Sequence, residues 1–182
     1  TARFGPAELL WALRHSLCEC LRAAGPVVGL ALSFRRSQVM AFRRVAVARL
    51  AERFPEYEVC DFGHIADGGL HFNLVRSAPA PAGAAAAAVA RDPVAREAAR
   101  VDALRDEVLT LAVEKFGASF SGEHGIGRAN QAAYDRFTPA PLQRYSAAVA
   151  AVFARMPAAA VRFGPPPAAA RRASRPSRSA PG

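Results

Sequence analysis

Three of the four histidines lie at the boundaries of predicted β-strands, and a carboxylate accompanies one of them. His64 ends the second predicted strand, His71 opens the third, and His124 follows the fourth, directly after Glu123. Neighbouring strands lie about 4.8 Å apart, so side chains from three strands can reach a shared point. Two imidazoles and a carboxylate suit a divalent cation such as zinc that keeps an open position for substrate. Asn73 lies two residues beyond His71 and shares its face of the strand, which makes it a candidate substrate contact or support for the site.

Hydrophobic periodicity and chain breakers predict the elements that carry these residues. A leucine stripe ending at Gly25-Pro26 predicts a first helix, and Ser37 is expected to cap the second. Asp67-Gly68-Gly69 predicts a tight turn between two strands, and Asp92-Pro93 opens a long helix. The predicted helices cover residues 7–24, 37–53, 92–116 and most of 134–156, with a restart at Thr138-Pro139, and the predicted strands cover 27–34, 57–63, 70–76 and 118–121.

Between the flanking N- and C-terminal helices, the element order is βαββαβ, which predicts a ferredoxin-like α+β sandwich with an antiparallel sheet. The expected strand order is 4-1-3-2, with strands 1 and 3 running one way and strands 2 and 4 the other. The end of strand 2, the start of strand 3 and the end of strand 4 would then meet at one edge. This topology would gather the histidines, although isolated histidines are more often ordinary core or surface residues.

Composition predicts one folded domain over residues 1–156 and a disordered Pro/Ala/Arg-rich tail over residues 157–182, since 52% of the 182 residues are hydrophobic and 21% are charged. We expect no membrane span, because no apolar run reaches the roughly 18 residues that one needs. Five of the arginines behind the net charge of +9 lie in the last 21 residues, which leaves +4 for the rest. A solvated tail is therefore expected, with no nucleic-acid partner.

The three cysteines form no CxxC pair, and the first residues carry neither an initiator Met nor a basic leader. We therefore expect a chain without a signal peptide in a reducing, cytoplasmic compartment.

Two segments resemble the hallmark motifs of a known family. Residues 63–73 (GHIADGGLHFN) and 121–128 (SGEHGIGR) are similar to the HxGDGNxHxN and (A/G)EHGIG motifs of the FAD-linked oxidase C-terminal domain. This is the family of D-lactate and D-2-hydroxyglutarate dehydrogenases and glycolate oxidase, of the vanillyl-alcohol oxidase type. Residues 10–14 (LWALR) and Leu32-Ser33 also resemble the start of that domain, and the similarity spans Glu8 to Phe153.

The resemblance implies a role for each candidate residue. His64, His71 and Glu123 would ligate a divalent metal, with zinc first and manganese second. His124 would be the base that takes the hydroxyl proton of a D-2-hydroxy acid while the C2 hydride passes to flavin. Arg14 would hold the substrate carboxylate, for which its fork geometry is suited. Asn73 would contact substrate or flavin, and His124 would also lie against the flavin.

The family holds FAD mainly in a separate N-terminal domain, and no GxGxxG phosphate cradle is visible in this sequence. We therefore expect a substrate- and metal-binding portion that needs an FAD-binding domain or subunit for activity. The alternative is a non-catalytic, stand-alone metal-binding or interaction domain. It is favoured by the lack of a visible FAD-binding domain and by two departures in the hairpin motif, where Ala66 replaces a glycine and Gly69 an asparagine. Gly29 replaces the lysine that would bind a second substrate carboxylate, which argues against a dicarboxylate substrate.

Overall fold

The computed structural model describes residues 5–77 and 92–152, which fall into two units that divide between Glu123 and His124. The described part of the first unit contains α1 (Ala7–Ala24), β1 (Val27–Ser33), α2 (Arg36–Arg53), β2 (Tyr57–Val59), β3 (Gly69–Arg76) and α3 (Pro93–Thr110), which continues as the π-helical segment Leu111–Lys115. The second contains α4 (Gln131–Phe137) and α5 (Ala140–Val152). The predicted α+β class is confirmed. The predicted tail and the end of the last predicted helix lie outside the described residues.

Helix boundaries follow local chemistry in most places. α3 begins as predicted, with Pro93 in its first turn and the Asp92 side chain accepting a hydrogen bond from the Val94 N–H at 2.9 Å. The predicted cap at Ser37 is wrong, because α2 already begins at Arg36 and places Ser37 inside its first turn. In the second unit the predicted restart near Thr138 is confirmed. There the buried Gln143 side chain donates to the Thr138 carbonyl at 2.9 Å and joins the two helices.

The sheet has the strand order β1-β3-β2, and both pairs are antiparallel. Ser33 lies opposite Gly69 at one end, and Tyr57 lies opposite Arg76 at the other. The predicted antiparallel pairing of strands 2 and 3 is therefore confirmed. The predicted fourth strand is reduced to one bridge between Ser119 and Ser33, on the free edge of β1. The order 4-1-3-2 is kept, although the fourth member is not a strand.

The predicted strand directions are wrong, because β1 and β3 run antiparallel and the bridge between Ser33 and Ser119 is antiparallel too, so that the fourth segment runs with β3 instead of β2. The α2 crossover makes β1 and β2 parallel, so β3, which returns from β2, opposes both. The fourth segment therefore begins, at Ser119, beside the end of β1. From Ser119 the chain runs back along β1, where the Gly122 N–H donates to the Ala31 carbonyl at 2.8 Å. This return places Glu123 next to His71, which lies opposite Ala31.

One face of the sheet forms the core with α2 and α3. Leu30, Leu32, Phe72 and Leu74 are all buried, and the Phe42 ring of α2 meets Phe72 edge-on with centroids 5.3 Å apart. Burial of such side chains contributes about 1.5–3 kcal/mol each. The alternate residues of β1 and β3 point to the opposite, open face, namely Gly29, Ala31, Ser33, His71 and Asn73.

A charged network closes the other end of the sheet. Glu56 is 1% exposed and accepts from the Arg100 guanidinium of α3 at 2.6 Å, and Arg100 also lies over the Phe54 ring. Burial raises the pKa of Glu56, but hydrogen bonds from Arg100 and its own backbone N–H outweigh that effect and hold the pKa below its ordinary value. Burial, followed by the charge of nearby Glu97, raises the pKa of Tyr57 to about 12. These contacts attach α3 to the start of β2.

α1 has the predicted bounds, yet none of its residues is buried. Leu9, Leu10, Trp11 and Leu13 are all exposed. Among the helices that the structure describes, none is long and apolar enough to cross a membrane.

Candidate functional site

The candidate site begins with the turn that joins the extension of β2 to β3. The His64 carbonyl accepts hydrogen bonds from the N–H groups of Asp67 (3.0 Å) and Gly69 (3.1 Å). The Asp67 carboxylate accepts a second bond from the Gly69 N–H at 2.9 Å. Gly68 has φ of 89° and its carbonyl accepts from the Phe34 N–H at 2.9 Å, so the turn is tied to the end of β1. A Cβ at Gly68 would lie 2.0 Å from the Phe34 carbonyl oxygen, which explains why a glycine is required.

His71 is held between a strand partner and two rings. It is the third residue of β3, lies opposite Ala31, and exchanges both backbone hydrogen bonds with Phe62 at 2.7 and 3.1 Å. The Phe62 ring lies 5.4 Å from the His71 ring, and the His64 ring meets His71 edge-on at 5.9 Å. These contacts place both imidazoles on the open side of the sheet.

Glu123 completes the cluster. Its Oε1 lies 2.9 Å from the His71 Nε2, and one ligand atom from each of His64, His71 and Glu123 lies within 4.8 Å of the others. Ligand atoms of a single tetrahedral zinc ion are separated by about 3.3–3.6 Å, given bond lengths of roughly 2.0–2.2 Å. Movements of about 1 Å would close that difference. His64 and Glu123 are exposed, so their side chains have room for such movements. The donor set and its spacing fit a divalent cation.

A cavity of about 230 Å³ opens over this cluster. Small side chains of β1 leave space beside His71, and the lining residues are Ala31, Leu32, Ser33, His64, Asp67, Gly69, Leu70, His71, Gly122 and Glu123. A space of this size suits a small organic acid and is too small for a dinucleotide such as FAD. Asp67 was expected only as a turn residue, whereas the structure also places it in the wall. Its position between two candidate ligands in the sequence could have indicated this.

Asn73 and Arg14 lie outside this cluster. Asn73 shares the open face and faces Gly29 across the sheet, and its Nδ2 donates to the His71 carbonyl at 3.2 Å. Arg14 is exposed on α1, with its guanidinium carbon 5.2 Å from the Trp11 ring centroid, and it is not among the described residues that line the cavity. His124 is the first residue of the second unit and is exposed.

The structure also reveals an ion pair behind the site. The Arg43 guanidinium of α2 donates to both oxygens of Asp61, at 2.7 and 3.0 Å. This hydrogen bonding, together with the Asp61 charge, raises the pKa of Arg43 above its ordinary value. Asp61 directly precedes Phe62, so the pair anchors the segment that leads to His64. The two residues lie 18 positions apart, and no periodicity could have paired them.

Comparison with known proteins now identifies the family. Residues 5–153 match the family described as FAD linked oxidases, C-terminal domain. The chain is 34% identical over 124 residues to a D-2-hydroxyglutarate dehydrogenase of Xanthomonas citri pv. viticola, which covers 66% of this chain and 23% of that protein. It is 32% identical over 146 residues to a D-2-hydroxyglutarate dehydrogenase of Stutzerimonas stutzeri, covering 79% of this chain and 28% of that protein. The chain thus spans about a quarter of the length of these relatives. It belongs to the family of FAD-linked oxidase C-terminal domains and is an oxidoreductase domain of that type.

Proposed function

We propose that this chain is the substrate- and metal-binding portion of an FAD-dependent enzyme that oxidises a D-2-hydroxy acid to a 2-oxo acid. The observation that carries the proposal is the convergence of His64, His71 and Glu123 on a cavity the size of a small acid. The family match and the dehydrogenase names of the relatives support the same reaction class.

His64, His71 and Glu123 would hold a divalent cation, with zinc first and manganese second. Such a cation would polarise the hydroxyl and carboxylate oxygens of the substrate. The histidines supply neutral nitrogen donors and Glu123 supplies one negative charge, a combination typical of catalytic zinc sites that keep a position open for substrate. Phe62 would keep the His71 ring oriented, since it lies on one side of that ring.

The proton and the substrate would be handled by other side chains of this chain. His124 would accept the hydroxyl proton as general base and would also lie against the flavin. Asn73 would contact substrate or flavin, and Arg14 would hold the substrate carboxylate. FAD supplies the hydride-accepting chemistry in this family and would be held mainly by an FAD-binding domain or subunit, since the cavity is too small for it. A reducing, cytoplasmic compartment remains our prediction from the cysteine pattern.

The second candidate function is a non-catalytic metal-binding or interaction domain. One local observation favours it. Gly69 occupies the position of the family motif's asparagine, and a Cβ there would lie 3.0 Å from the Asp67 carboxylate and 3.4 Å from the His64 Cβ. The turn is therefore built around a glycine and departs from the motif beside the candidate ligands.

Metal binding can be tested on the purified 182-residue chain. We expect the wild type to take up one equivalent of Zn²⁺, and Co²⁺ to give a visible d–d spectrum. His71→Ala and Glu123→Gln should each lose that stoichiometric metal. His15→Ala is the matched control, because His15 is an exposed histidine on α1 beside Trp11 and should leave metal content unchanged. A wild type without stoichiometric metal would refute the metal site.

Catalysis separates the two candidate functions. The chain should be combined with a flavin-loaded FAD-binding domain of this family, and dye reduction measured with D-2-hydroxy acids. We expect activity with the combination and none with the chain alone. His124→Ala should lower the rate by about 10²- to 10⁴-fold, as loss of a general base does, while metal content stays unchanged. Stoichiometric metal without any turnover would favour the non-catalytic domain.

A further inference from the structure

The wall of the cavity contains a carboxylate that the proposed metal site does not use. The described lining residues include two acidic side chains, Asp67 and Glu123, and neither a lysine nor an arginine. Glu123 belongs to the candidate ligand set, whereas Asp67 does not. A concave wall that carries charge of one sign concentrates ions of the opposite sign. Asp67 therefore adds a second negative charge to the surroundings of the candidate ligands.

The surroundings of Gly69 show on which side of the sheet the Asp67 carboxylate lies. Gly69 lines the cavity, and a Cβ there would lie 3.0 Å from the Asp67 Oδ1 and 3.4 Å from the His64 Cβ. Those two atoms are therefore at most 6.4 Å apart, the sum of the two distances. Because the side-chain direction at residue 69 is that of the open face, the carboxylate lies on the same face as the candidate ligands. The asparagine of the family motif would extend into this space, whereas glycine leaves the carboxylate uncovered.

The turn holds this carboxylate without using all of its hydrogen-bonding capacity. The Oδ1 atom accepts a hydrogen bond from the Gly69 N–H at 2.9 Å, and no other residue in the described part of the chain donates to the Asp67 side chain. A carboxylate has about four acceptor positions, so further donors can bind to it. Asp67 is not in the group whose ligand atoms lie within 4.8 Å of one another, so a water molecule fits between its carboxylate and a cation bound by that group.

We propose that Asp67 positions a water molecule of the bound divalent cation and strengthens cation binding through its charge, an inference that rests on the metal site of the proposed function. Asp67 accepts a hydrogen bond from that water, and together with Glu123 it balances the two positive charges of the cation. Groups that act from outside the coordination sphere in this way typically change metal affinity 10- to 100-fold. Asp67 is exposed, so solvent and salt screen its charge and we expect an effect near the lower limit.

The direct test measures metal affinity of Asp67→Asn in the full 182-residue chain, with chelator competition for Zn²⁺ and electron paramagnetic resonance for Mn²⁺. The amide keeps an oxygen that can accept from the Gly69 N–H but removes the charge. We expect one equivalent of Zn²⁺ to be retained with a dissociation constant about tenfold higher. The loss should be larger for Mn²⁺, because manganese prefers six oxygen-rich positions and keeps more water than tetrahedral zinc does. Asp102→Asn is the matched control, because Asp102 is an exposed aspartate of α3 that does not line the cavity, and its metal affinity should equal that of wild type.

Urea unfolding of the metal-free variants separates this role from a purely structural one. We expect Asp67→Asn to unfold as wild type does, since the bond to Gly69 is kept. Asp67→Ser, whose hydroxyl can also accept from that N–H, provides a second neutral variant should the first fail to fold, and it should weaken zinc binding by a similar factor.

Equal affinities of wild type and folded Asp67→Asn for both metals would overturn the proposal, as would an equal loss in Asp102→Asn. Complete loss of stoichiometric metal in folded Asp67→Asn would also overturn it, because Asp67 would then be a direct ligand. A wild type without stoichiometric metal would refute the metal site of the proposed function itself. That result differs from a metal-loaded wild type whose affinity does not depend on Asp67, so the two failures are distinguishable.

Discussion

The Arg43–Asp61 ion pair is expected to control metal affinity although neither residue is a candidate ligand. Asp61→Asn keeps the shape of the side chain but removes its charge and turns one acceptor into a donor that faces the guanidinium. A hydrogen bond to a charged group contributes about 1.5–3 kcal/mol when both partners are buried. Asp61 is 8% exposed but Arg43 is 40% exposed, so solvent screening reduces the expected loss to about 1 kcal/mol.

A loss of about 1 kcal/mol corresponds to a change of roughly fivefold in an equilibrium constant. Asp61 acts on the site through Phe62, which pairs with His71, and through the two residues that lead to His64. We therefore expect the dissociation constant for Zn²⁺ to rise about three- to tenfold. This lies below the 10- to 100-fold typical of groups that hydrogen-bond a ligand directly. Arg43→Lys, which keeps charge but not the two-pronged contact, should give a smaller rise.

Competition with a chromophoric chelator measures this affinity, and urea unfolding of the metal-free protein measures stability. Glu107→Gln is the matched control. Glu107 of α3 pairs with Arg49 and Arg53 of α2, the helix that also carries Arg43, and it does not line the cavity. It should change stability without changing metal affinity. Equal affinity in Asp61→Asn and wild type, or an equal loss in Glu107→Gln, would refute the reasoning.

Three further predictions concern the turn and the charged network. Gly68→Ala should destabilise the domain by about 3 kcal/mol or more in urea unfolding and lower its metal affinity, because the added Cβ would clash with Phe34. Gly117→Ala is the control, because Gly117 also has a positive φ but nothing lies within 4 Å of its added Cβ, and it should cost about 1 kcal/mol. The pKa of Glu56 is lowered in the folded state, so its contribution to stability is present above the ordinary pKa of 4.5 and is lost as pH falls through the folded pKa. Glu56→Gln should remove that part of the acid dependence of stability. An unchanged dependence of stability on acid pH would contradict this prediction. Tyr57 should remain neutral until about pH 12 in an ultraviolet titration, and Tyr57→Phe identifies which part of the tyrosinate absorbance belongs to it. The stability linked to this group should be present below its ordinary pKa of 10 and disappear as pH rises through about 12.

The sequence predicted elements well where local chemistry decides them. The carboxyl end of α1 and the start of α3 follow from Gly25-Pro26 and Asp92-Pro93, because glycine and proline act on the backbone at the position where they occur. β2 was expected to reach residue 63, yet it ends at Val59 with one further bridge at Phe62.

The fourth strand failed for a local reason that is visible only in the structure. The Ser119 hydroxyl donates to the Ser121 carbonyl at 2.7 Å, a side-chain bond that competes with a strand ladder. The convergence of His64, His71 and Glu123 could be predicted, although through an incorrect strand direction. The expected strand order already placed strand 3 beside strand 1, and neighbours in an antiparallel sheet run in opposite directions, so the correct direction followed from the predicted order itself.

Alternation along β3 separates the chemistry of the site from the stability of the fold. Gly69 and His71 line the cavity on the open side, which Asn73 also faces, whereas Leu70, Phe72 and Leu74 are buried. A mutation at an odd position can therefore change ligands or cavity shape while the core remains intact, and Gly69, in place of the motif's asparagine, is a change of this kind. Single codon changes can therefore replace one reactive group of such a strand by another. Related domains can in this way diverge in substrate while they keep the same fold.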